Sequence, residues 1–236
     1  MNTMHPTVRD GRIAGLWYLS LVVSGPFTLI YLPSKLIVRG DPSATVNNIL
    51  AHETLFRIGI VADIVGSLFF LGLAFALHKL LKGVDNRLAA QMVTLIVVSV
   101  TIGFVNALNN LAVLILSLGS EFANVLDKHE LDAIAMLFVR LHSQGNLVNE
   151  VLWGVWLWPF GVLVMRSGFL PKVLGVWLLI NGFAYVVHSF TGLLAPQYAN
   201  MLWKVAFPAL FGELAIMLWL LIKGARVRPA VATAPA

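Results

Sequence analysis

The sequence predicts an all-α polytopic membrane helical bundle of six transmembrane helices, with short amphipathic interfacial helices in its outer loops. Composition is the first reason: of 236 residues, 59% are apolar and 11% are charged, and the mean hydropathy is +0.86. A soluble domain carries about a quarter charged residues. The second reason is that the apolar residues fall into six blocks, each near the roughly 20 residues that cross a hydrocarbon core about 30 Å thick. Helix is the conformation such blocks take, because an open sheet edge in lipid leaves backbone groups unsatisfied.

The blocks run from Gly15 to Leu32, Ile58 to Leu81, Leu88 to Leu118, Leu147 to Met165, Leu170 to Leu194 and Val205 to Ile222. Arg9 and Arg12 precede the first block, as in a signal peptide. Apolar sequence nevertheless continues past Ser24, Gly25 and Pro26 to Leu32, so a retained helix kinked at the proline is expected. After Pro42, Val46, Ile49 and Leu50 share one helical face, which predicts an interfacial helix. A second amphipathic stretch from Glu130 to Leu141 leads into the fourth span. Residues 1–224 are read as one transmembrane domain, and residues 225–236, rich in Ala and Pro, as a disordered cytoplasmic tail.

Lys and Arg bias sets orientation. Six of the sixteen basic residues, Lys35, Arg39, Arg57, Lys128, Arg140 and Lys204, fall on one side, and the other ten on the side of the termini. Both termini are therefore expected in the cytoplasm, and this bias accounts for most of the +5 net charge. The sequence pI of 9.7 then needs no nucleic acid. The lipid bilayer is the expected partner. The absence of cysteine excludes disulfides, thiolate metal sites, thioether haem attachment and Cys nucleophiles. No cofactor is expected.

Charged side chains at membrane depth are costly and face a bundle interior or a wet cavity. Asp63 lies on span two, Glu150 on span four and Glu213 on span six. Asn106, Asn109 and Asn110 lie on span three, His142, Asn146 and Asn149 on or before span four, and Asn181 and His188 on span five. With the termini inside, Asp63 sits about 9 Å below the outer end of its helix at about 1.5 Å per residue. The asparagines of span three, the His142 to Glu150 stretch and His188 share that outer half, while Asn181 and Glu213 lie nearer the middle. Helical phase puts His142, Asn146, Asn149 and Glu150 on one face and Asn106, Asn109 and Asn110 on another. These positions predict an outer-facing polar pocket lined by Asp63, Asn106, Asn109, His142, Asn146, Glu150, His188 and Glu213. It suits a small or lipidic ligand, bound by a transporter-like or sensory protein.

Other readings compete. Asn and His serve as hydrogen-bonding glue between helices, with Gly59, Gly66, Gly72, Gly175 and Gly182 permitting close contact, as in a structural membrane subunit. Arg57 and Arg140 lie near enough in depth to pair with Asp63 or Glu150. His142, His188, Asp63 and Glu150 are the residue types that bind zinc and activate water, the chemistry of a metal-dependent hydrolase or lipid-modifying enzyme. No HxxxH or HExxH spacing accompanies them. His142 and His188 are also the side chains that ligate a haem b. The seven tryptophans read as interface anchors or packing residues.

Five segments carry a family resemblance: Arg12 to Leu16, Ser34 to Val38, Phe56 to Asp63, Arg166 to Pro171 and Leu218 to Gly224. Over roughly residues 10 to 224 the chain resembles the bacterial membrane proteins grouped as domain of unknown function 4386. The resemblance implies a multi-helix protein of the bacterial inner membrane and implies no activity.

Overall fold

The computed structural model describes residues 7–119 and 124–225. Glu121 and the tail beyond Ala225 lie outside the described residues. Helix α1 (Val8–Pro26) starts at Thr7, whose hydroxyl accepts from the Asp10 amide while the Asp10 carboxylate accepts from the Thr7 amide. The kink expected at Pro26 takes the form of a π-helical turn, Phe27–Tyr31, before the chain continues as α2 (Leu32–Leu36). Proline lacks the N–H that an α-helical ladder needs, and a wider turn absorbs the break.

Helix α3 (Pro42–Ala51) is the expected interfacial helix, with Asp41 accepting from the Ala44 amide at its start and Val46 and Ile49 buried. Then follow α4 (Glu53–Leu81), α5 (Asn86–Leu118), α6 (Lys128–Val155), α7 (Leu157–Arg166), α8 (Lys172–Leu194) and α9 (Ala199–Ile222). The Glu130 to Leu141 stretch is continuous with span four, inside α6. Pro159 cannot donate to Val155, and the chain breaks there between α6 and α7. The helices form six units long and apolar enough to cross a membrane: Val8–Leu36, Glu53–Leu81, Asn86–Leu118, Lys128–Arg166, Lys172–Leu194 and Pro196–Ile222.

Each span packs on its neighbours in sequence, and α9 returns to α1, so the six close into a ring. The half nearer the described ends of the chain, here the terminal half, is filled by apolar side chains. Leu73, Leu77, Leu81, Met92, Ile96, Leu157, Phe160 and Leu163 are fully buried there. At the mid-plane Trp156 meets Tyr18, Phe70 and Phe160 at ring separations of 6.3, 5.4 and 5.4 Å. A smaller core of Leu32, Leu36, Ile49, Val113, Met136 and Val139 lies in the other half, beneath α3.

Lipid offers no hydrophobic drive between helices, so close backbone approach has to supply the packing. Glycines provide it at three seams. Gly59, Gly66 and Gly72 of α4 face Leu32, Ser24 and Trp17 of span one. Gly15 of α1 faces Leu221 of α9, where a Cβ would lie 2.7 Å from the Leu221 nitrogen. Between spans four and five the pairs Gly154 with Gly182 and Gly161 with Gly175 recur at matching seven-residue spacing. A Cβ on Gly182 would lie 2.6 Å from the Gly154 carbonyl oxygen, and one on Gly161 2.7 Å from that of Gly175.

On the terminal face, Lys79 pairs with Asp10 at 2.8 Å, and Arg166 with Asp85 at 3.3 Å. Asp85 also caps α5, accepting from the Arg87 and Leu88 amides at 3.0 and 3.1 Å. Asp85→Ala should therefore lower stability by about 1 kcal/mol, the usual worth of such a cap, whereas Asp85→Asn should keep most of it. Intrinsic tryptophan fluorescence during thermal unfolding reads the difference.

Candidate functional site

Helix α6 is the hub of the polar residues. It contacts α5 on one side and α8 on the other, and the polar side chains of its membrane-spanning part divide accordingly. Toward α4 and α5, His142 Nε2 lies 3.6 Å from Asp63 Oδ2. The Asn106 amide donates to the His142 carbonyl and to Asn146 Oδ1, both at 2.9 Å. Asn109 donates to Asn106 Oδ1 at 3.0 Å, and His142 Nδ1 lies 3.2 Å from the Asn106 carbonyl. Thr28, just past the Pro26 break, donates to the Gly25 carbonyl at 3.5 Å. Asn149 continues the seam by donating to the Ser99 carbonyl at 3.1 Å.

Toward α8, Glu150 is buried and both its carboxylate oxygens face His188 Nδ1, at 3.0 and 2.9 Å. The His188 ring packs against Trp203 of α9 with centroids 5.0 Å apart. One turn before His188, the Tyr185 ring packs edge-on against Trp153 with centroids 6.4 Å apart. A third set stands at the mid-plane. There Tyr18 donates to Glu213 Oε2 at 2.7 Å, and the Asn181 amide donates to Glu213 Oε1 at 3.1 Å.

The eight candidate residues are thus brought together in three sets. Asp63, Asn106, Asn109, His142 and Asn146 form one, Glu150 and His188 a second, and Glu213 stands with Asn181 in the third. The single face expected for His142, Asn146, Asn149 and Glu150 is split by the structure. Glu150 sits about 80° around the helix from His142 at roughly 100° per residue. With helices packed on both sides of α6, that offset changes the neighbour from span three to span five. The arginine partners are also corrected. Arg57 pairs with Glu53 at 2.6 Å, and Arg140 is exposed. Histidines take their place beside Asp63 and Glu150.

Among the described residues no three His, Asp or Glu side chains lie close enough to share a metal. Of the candidate zinc set, His142 stands with Asp63 and His188 with Glu150, each pair supplying two ligand residues. A separate cavity of about 380 Å³ lies at the α3 end of the bundle, lined by Val46, Leu50, Leu116, Leu131 and the buried Asp132. Tyr18 and Trp203 belong to the polar sets although the sequence did not single them out as site residues. A lone aromatic or hydroxyl residue in an apolar span carries no signal of its own until its neighbour is known.

A ring of six apolar helices, packed through glycine seams and crossed in one half by paired acid and histidine side chains, defines a multi-pass α-helical membrane protein. The chain matches the family model described as "Domain of unknown function (DUF4386)" over residues 13–224. It belongs to that family. It is also 27% identical over 86 residues to a protein of Archaeoglobus fulgidus named only "Uncharacterized protein". That similarity covers 36% of this chain and 50% of the relative, so the chain spans about half the length of the relative it matches. No solved structure matches the chain.

Proposed function

We propose that this protein binds a small or lipidic ligand through the polar side chains of the half nearer α3, as a transporter-like or sensory membrane component. The observation that supports it is the pairing of two membrane-embedded acids with histidines on either side of one helix: Asp63 with His142, and Glu150 with His188. Buried ionisable groups in a span are costly to keep, and packing glue does not need them. The aromatic group around Trp156 and the apolar terminal half argue against a continuous polar path and favour access from the α3 side. The ten-to-six basic bias supports placing that side outward, with both termini in the cytoplasm of a bacterial inner membrane.

Native mass spectrometry of the protein released from nanodiscs of phosphatidylethanolamine and phosphatidylglycerol tests this reading. The wild type should retain a single amphiphile adduct that Asp63→Asn combined with Glu150→Gln loses while remaining monodisperse. Equal adducts on both proteins would leave helix packing as the role of these groups. One equivalent of zinc on the purified protein, lost with His142→Ala or His188→Ala, would replace ligand binding by metal chemistry.

A further inference from the structure

Glu213 stands near the middle of α9, nine residues before Ile222, about 14 Å along the helix at about 1.5 Å per residue. The helices packed on α9 in this region are α1 and α8. The groups they turn toward the carboxylate are neutral: the Tyr18 hydroxyl at 2.7 Å, the Asn181 amide at 3.1 Å, and the Tyr185 side chain. Among the described residues no ion pair reaches Glu213. A carboxylate without a cation at this depth is expensive, and neutral dipoles offset only part of the cost.

A second observation lies beside it. Asn181 is fully buried, and its Oδ1 has no hydrogen-bond partner. The carboxamide has a donor and an acceptor on one rotatable group. As placed, its N–H₂ donates to Glu213 Oε1, which suits an ionised carboxylate. Turned by half a rotation, the same amide offers its carbonyl to Oε1, which suits a carboxylic acid. The two orientations of one side chain match the two protonation states of the other.

We propose that Glu213 is a mid-membrane proton-binding site, with Asn181 turning to accept a hydrogen bond from the acid. One proton adds to Oε1, an O–H bond forms, and the carboxyl charge goes from −1 to 0. Release reverses the step, and nothing is oxidised or reduced. Tyr185 follows Asn181 by one turn along α8 and precedes His188 by one, so the site lies at the border of the polar half of the bundle. It stands apart from the two acid–histidine pairs and holds whether or not they bind a ligand.

Infrared pH-difference spectra of the full-length protein in nanodiscs, with carbodiimide labelling read by peptide mass spectrometry, test the site. A carboxylic-acid carbonyl band should vanish as the pH is raised, and should be missing in Glu213→Gln. The carbodiimide should modify Glu213, with labelling that declines over the same pH range. Asn181→Leu keeps the carboxyl and removes its acceptor, so it should shift that band toward the frequency of an acid without a hydrogen bond. This variant decides the matter if Glu213→Gln does not fold. A band that persists in Glu213→Gln, a spectrum unmoved by Asn181→Leu, or a Glu213 unlabelled at every pH would overturn the proposal.

Discussion

Gly182→Leu should abolish recovery of folded, monodisperse protein, while Gly83→Ala should be close to neutral. At Gly182 the Cβ alone would sit 2.6 Å from the Gly154 carbonyl oxygen and 2.9 Å from Trp158 Cδ1, whereas nothing lies within 4 Å of a Cβ on Gly83. Overpacking usually costs about 1–3 kcal/mol when neighbouring side chains can move aside. Here the obstacle is backbone, so α8 must lift away from α6. The Gly161 and Gly175 pair one heptad along ties the same two spans, so local relief strains the second contact too. His188 is six residues farther along α8, and lifting the helix also pulls it from Glu150. Fluorescence-detected size exclusion after a series of heating steps gives the comparison, and equal survival of the two variants would show that the seam is slack.

Span positions were legible because lipid makes apolar length a direct signal. All six helices lie where the apolar blocks place them; five extend beyond their blocks at one end or both, and α8 begins at Lys172, just inside its block. The largest extension is in span four, where α6 begins at Lys128 while the apolar block starts at Leu147, and α9 begins at Ala199 while its block starts at Val205. Asn200 and Lys204 dilute the hydropathy of that first turn and a half without breaking the helix. Pro26 announced a break, but its π-helical form depends on how span one packs on α4, which composition does not carry.

Partnership was less legible than position. His142 and Glu150 look like one face when a helix is drawn alone, and become two faces once α5 and α8 flank it. Arg57 and Arg140 sit at plausible depths, yet Arg57 is drawn to Glu53 one turn away, a local contact. Tyr18 carries no signal in the sequence until Glu213, 195 residues away, is seen to accept its hydrogen bond. Depth and residue type constrain which groups need a partner. Which partner they find is set by helix rotation, and rotation is fixed by the glycine seams.

That dependence makes the Glu150–His188 pair the sharpest energetic test of the interior. Its partners are 2.9 Å apart with side chains 7% and 16% exposed. Removing one member of such a pair leaves a polar group stranded, at a cost of about 3–5 kcal/mol. His188→Leu and Glu150→Leu should each show a loss of that order in a reversible unfolding assay in mixed micelles. The double variant should recover most of it, because an apolar replacement of a whole buried pair is often neutral or stabilising. Glu150→Gln, which still offers an oxygen to the imidazole, should lose less than Glu150→Leu. The Asp63–His142 pair is longer, at 3.6 Å, and more open, with side chains 21% and 18% exposed, and His142 has Asn146 and Asn106 as further partners. Its cycle should therefore show the smaller coupling of the two. Strictly additive losses at Glu150 and His188 would mean that the two side chains are neighbours without interacting. The ordering of the two cycles separates a pair that holds the bundle together from one free to exchange its partner for a ligand.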